Sequence, residues 1–89
     1  MCRNIRTLVN FTPPATDEEI RASALQFVRK LSGSNKPSRL NEATFNRALD
    51  EVTEAAQRLI RSLQTSASPR TREEVVRKAR ERAQRRFAG

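Results

Sequence analysis

Residues 41–65, NEATFNRALDEVTEAAQRLIRSLQT, decide the fold of this chain. Their apolar members fall at Phe45, Leu49, Val52, Ala56, Leu59 and Leu63, spaced four, three, four, three and four. Ala48, Ala55 and Ile60 widen that row into a stripe about 100° across, the pattern of a helix with one core-facing side. No Gly or Pro interrupts the run, and most of its positions are good helix formers. At 1.5 Å per residue it would extend roughly 35 Å, the span of a small domain. In a chain of 89 residues, such a helix is the surface on which everything else must pack.

Upstream of it, Thr16 followed by Asp17, Glu18 and Glu19 is a capping box that starts another helix. Three acids in the first turn suit the positive end of the helix dipole. Ile20, Ala24, Phe27, Val28 and Leu31 would share one face, and Arg29, Lys30 and Gly33 close it as a C-terminus should. The connection from Ser34 to Leu40 is short enough to fold the long helix back antiparallel, with Ser38 or Asn41 as its N-cap.

Downstream, Ser66-Ala67-Ser68-Pro69 breaks the long helix. A third helix then starts either with Ser68 as cap and Pro69 in the first turn, or at Thr71 with Glu74 three residues on. It carries Val75, Val76, Ala79, Ala83 and Phe87 in a narrow stripe among arginines, so it either docks weakly or needs a partner. At the other end, Ile5, Leu8 and Val9 fit a turn and a half of helix. A strand through Ile5, Thr7, Val9 and Phe11 finds no partner strand in the sequence, so the short helix is favoured. Thr12-Pro13-Pro14 stiffens the connection to the next helix.

The expected architecture is all-α: a small helical bundle of two long antiparallel helices plus a basic C-terminal helix and a short N-terminal segment. One domain spans 1–89, with the N-terminal segment at 1–14 and helices at 17–32, 41–65 and 69–87. A chain this small buries only about 60–65% of the surface its unfolded form exposes, so self-association as a homo-oligomer would usefully add buried area. With one cysteine there is neither an internal disulfide nor a Cys-pair metal site within the chain, which suits a cytoplasmic protein. No apolar run approaches the roughly 18 residues of a membrane span, and MCRNIRTLVNF lacks a signal-peptide core, so no membrane partner is expected.

Several words of the chain resemble a known family in the order in which they occur. MCRNIRTL, PPATDEEI, ALQFVRKLSG and the KPS before the long helix look like the small bacterial proteins catalogued as domain of unknown function 2277. The resemblance covers essentially the whole chain and departs most in the last twenty residues, which are unusually rich in arginine. It implies a small cytosolic protein of a family without an assigned activity. It supplies no catalytic residues, and it marks the opening Cys2-Arg3-Asn4-Ile5 as a family feature.

Function must be sought in the charges. The formal net charge is +8. Residues 1–40 hold seven Lys/Arg against three acids, residues 41–66 three against four, and residues 67–89 eight against three. The long helix is almost neutral and the basic charge flanks it. Arg70, Arg72, Arg77, Lys78, Arg80, Arg82, Arg85 and Arg86 make the C-terminal helix the strongest candidate for contacting nucleic acid or another polyanion. They spread over several faces, and Glu73, Glu74 and Glu81 partly neutralise them, so a merely solvated basic helix is the competing reading. No Tyr or Trp is available for stacking bases.

Lys36 and Arg39, with Ser38 at the start of the long helix, form a second candidate anion site, or else an ordinary capped loop. Cys2 beside Arg3 and Arg6 is a candidate reactive thiol, weighed against a small residue that merely seats the N-terminus. Asp50, Glu51 and Glu54 are better explained by ion pairs of Glu51 with Arg47 and Glu54 with Arg58 than by a metal ion. Histidine is absent, and with only two glycines no phosphate-cradling loop exists. No catalytic residue, metal ligand or cofactor is assigned, and a non-enzymatic binding protein is the expected class, with a helical oligomerisation or protein-interaction module, or a thiol- or metal-dependent role of Cys2, as the alternatives.

Overall fold

The computed structural model describes residues 5–88, with side chains as far as Arg86. Three helices follow in order: α1 Asp17–Ser32, α2 Glu42–Ser62 and α3 Arg72–Ala88. No strand occurs among the described residues, and the fold is a small all-α bundle.

Local chemistry sets the limits of α1. The Thr16 hydroxyl accepts the Glu19 amide at 3.1 Å, and Glu19 Oε1 accepts the Thr16 amide at 2.9 Å. At the far end Gly33 turns left-handed with φ 69°, and its N–H reaches the Arg29 carbonyl at 2.9 Å. A side chain there would be strained by the backbone alone, which is why glycine stands at this cap.

From Gly33 the chain reverses, and α2 runs back antiparallel. Asp17, at the start of α1, pairs with Arg61 near the end of α2, and Arg21 pairs with Asp50 at 3.1 Å. Between the helices lie Ile20, Ala24, Val28 and Leu49, joined by Ala15 from the loop before α1. Thr53 is buried with them; its hydroxyl donates to the Leu49 carbonyl at 2.6 Å, so burial leaves it satisfied.

The buried line of α2 is therefore rotated from the apolar row in its sequence. Leu49 and Thr53 face α1, Val52, Ala56 and Ile60 are half-buried, and Leu59 and Leu63 stay 58% and 55% exposed. The helix also ends three residues before Thr65: Leu63 is extended, and its N–H closes the last turn on Leu59. Neither expected N-cap acts through its side chain, since Asn41 occupies the cap position without a side-chain bond. Its own N–H donates to the Ser38 carbonyl at 3.0 Å.

The short N-terminal helix does not form in the described residues; 5–16 are irregular. One isolated turn is marginal in water, and the two prolines prevent its extension. The strand partner missing from the sequence is supplied by the loop before α3. Phe11 and Arg70 form an isolated parallel bridge, in which Arg70 N–H donates to the Asn10 carbonyl and Thr12 N–H to the Arg70 carbonyl, both at 2.9 Å. Asn10 adopts φ 61°, which asparagine tolerates, and its amide nitrogen donates to the Ser68 carbonyl at 3.1 Å.

Of the two possible starts of α3, Thr71 is the one used: its hydroxyl accepts the Glu74 amide at 3.1 Å. Beyond its first turn α3 does not pack on the hairpin, since α1 and α2 are the only helices whose backbones meet among the described residues. The radius of gyration shows the result. It is 16.3 Å, against about 12 Å for a compact chain of this length.

Candidate functional site

The ten cations singled out in the sequence divide into three groups. Arg70 and Arg72 are taken up by the fold. Both guanidinium groups lie over the Phe11 ring, at 4.8 and 5.0 Å from its centroid. Arg70 also donates to the Val9 carbonyl at 3.1 Å. Arg72 donates to the Pro13 carbonyl at 2.7 Å and grips both oxygens of Glu19 at 3.0 and 3.2 Å. A planar fork held on a carboxylate, a carbonyl and a ring has few donors left for a ligand.

Glu19 therefore serves two elements. Its carboxylate accepts the Thr16 amide that caps α1, and it holds the first residue of α3. The Thr16 amide chiefly holds its carboxyl below the ordinary value of 4.5; desolvation opposes this as the next largest effect, and Arg72 adds to the lowering. The folded value is lowered, so the stabilisation is complete above the unfolded value and is lost as pH falls through the folded one. Acidification should loosen the Glu19–Arg72 contact, and Glu19→Gln should remove that part of the acid dependence. Urea midpoints of both proteins at neutral and acid pH check this. An identical loss of stability in the variant would refute it.

The second group lies along α3. Lys78, Arg82, Arg85 and Arg86 recur at i, i+4, i+7 and i+8, which puts them within about 100° of helix circumference. Arg77 and Arg80 lie outside that face. Arg77 and Arg85 share Glu81 at 3.9 and 4.0 Å, loose exposed pairs that hold neither cation strongly. Lys78, Arg80, Arg82 and Arg86 are exposed and have no ion-pair partner among the described residues. With Arg70 and Arg72 withdrawn, what looked scattered in sequence reduces to one basic face with two outlying arginines.

The third group is at the opposite end of α1. Lys36 lines a cleft of about 570 Å³ where the ends of α1 and α2 splay apart, while Arg39 is exposed outside the lining. Val28, Pro37, Phe45 and Ala48 make the cleft's apolar surface, and Ser32, Ser34, Ser38, Asn41 and Thr44 its polar one. The α3 anchor, Arg72 on Glu19, meets the start of α1, the end away from these cations.

Other candidates resolve more simply. Asp50 is paired with Arg21 and Glu51 with Arg47 at 3.1 Å, but no ion pair joins Glu54 to Arg58 among the described residues. No group of three or more potential metal ligands occurs among the described residues. No described helix is long and apolar enough to cross a membrane. Cys2 lies outside the described residues.

Sequence reasoning missed the roles of Phe11 and Glu19. The capping box identified Glu19, but nothing local announced its second partner 53 residues away. No curated protein and no solved structure matches the chain. A family model described as "Uncharacterized conserved protein (DUF2277)" matches residues 1–78 and stops before Arg80, Arg82, Arg85 and Arg86. With most of its length inside that match, the chain belongs to the DUF2277 family of uncharacterized conserved proteins.

Proposed function

We propose that this is a small non-enzymatic binding protein that contacts a polyanion, nucleic acid foremost, through α3. One observation carries the reading: α3 is tied down only at its first turn, and Lys78, Arg82, Arg85 and Arg86 share a face beyond the tie. A helix released from the core in this way can lie along a phosphate backbone without unfolding anything else. The chain has no Tyr or Trp to stack bases, so the contacts are ionic and largely independent of sequence.

The test is fluorescence anisotropy of the full chain with a mixed-sequence DNA duplex across a salt series. With four phosphate contacts the slope of log K against log salt is expected near −3.6, or about 150-fold weaker binding between about 50 and about 200 mM salt. A single-stranded RNA arm should give a shallower slope, close to −2.8 for about the same four contacts. Absence of binding to either at the lowest salt would overturn the reading. Because the four cations except Lys78 lie beyond the residues shared with the family model, the activity belongs to this chain's arginine-rich extension.

A further inference from the structure

We infer that the cleft between the splayed ends of α1 and α2 binds a small organic monoanion with a hydrocarbon tail, a site separate from α3. The cleft measures about 570 Å³, within the roughly 300–1,000 Å³ of pockets that hold small ligands. Its deep surface is Val28, Phe45 and Ala48, from both helices, and offers a tail only apolar contacts. Lys36 is the single charged residue in the lining, and no carboxylate opposes it. One cation over an apolar floor selects one negative charge on an apolar body.

Polar partners for the head group stand on the same rim. Ser38 and Thr44 line the cleft, and neither side chain makes a hydrogen bond among the described residues. The first turn of α2 opens beside them without a side-chain cap, adding amide donors and the positive end of the helix dipole. A carboxylate seated against Lys36 would meet these donors while its tail covers Phe45. A polyanion fits poorly, because the floor is apolar and Arg39 lies outside the lining.

Decanoate is the probe, titrated into the full chain while amide shifts are followed by NMR. Saturable shifts are expected at Val28, Ser38, Thr44, Phe45 and Ala48, with α3 unmoved. Lys36→Met should weaken binding about tenfold, and decanol should bind at least about tenfold more weakly than decanoate. Ala48→Met should fill the floor and abolish saturation, with retained helicity and a cooperative thermal unfolding transition showing that the variant is folded. Equal binding of decanol and decanoate, shifts confined to α3, or no saturation by millimolar decanoate would each overturn the proposal. DNA binding by α3 is measured separately, so failure of either site leaves the other standing.

Discussion

Neutralising the basic face of α3 by Lys78→Gln, Arg82→Gln and Arg86→Gln together is expected to weaken duplex binding by about 500-fold at about 0.1 M salt. The figure comes from counterion release. A slope of about −0.9 per phosphate makes each contact worth a factor of about eight at that salt, and three contacts are removed. The slope itself should fall from near −3.6 to about −0.9, which distinguishes lost contacts from a misfolded protein. Helicity should be little changed, because Gln is a good helix former and all three positions are exposed. Lys36→Met in parallel should leave both affinity and slope alone. A triple variant with the parental slope would mean that α3 is not the contacting element.

The second large effect concerns stability. Ile20 is the only fully buried large side chain among the described residues, at 0% exposure, in a core with four other buried apolar residues. Ile20→Ala should cost about 2–5 kcal/mol through lost burial and the cavity left behind. A chain of 89 residues has only about 4–13 kcal/mol to lose, so at least about 15% of its stability goes with one side chain. In thermal unfolding that is a fall in Tm of at least about 10 °C. Leu40→Ala is the control: Leu40 is 91% exposed, and its loss should stay within about 0.5 kcal/mol. Similar losses from the two substitutions would mean that the core does not lie between α1 and α2.

These contrasts show which physics a sequence exposes. The Thr16–Glu19 box and the Gly33 cap were legible because donor and acceptor lie within a few residues of each other. Thr53 escaped because a search for apolar residues passes over a hydroxyl, although that hydroxyl satisfies itself on the preceding turn. Leu59 and Leu63 misled in the opposite direction: they continue the apolar row, but the buried line has already turned away from them. The bridge between Phe11 and Arg70 was invisible because Phe11 ends a strand-like alternation but Arg70 lies in no strand-like sequence that could partner it. At the candidate site the cations could be counted from the sequence. Their availability could not, because Arg70 and Arg72 are withdrawn by partners more than fifty residues away.

That distance has a kinetic meaning. The α1–α2 hairpin is built from neighbours along the chain, and such local contacts form early and fast. Joining Phe11 to Arg70 requires closing a loop of about sixty residues, whose entropy must be met before any of its bonds form. The Phe11–Arg70–Arg72–Glu19 cluster is thus the last part of the molecule to assemble and the first to open. Amide exchange at Thr12 and Arg70 should run ahead of exchange at Ala24 and Leu49, marking a boundary between two cooperative units inside this small bundle.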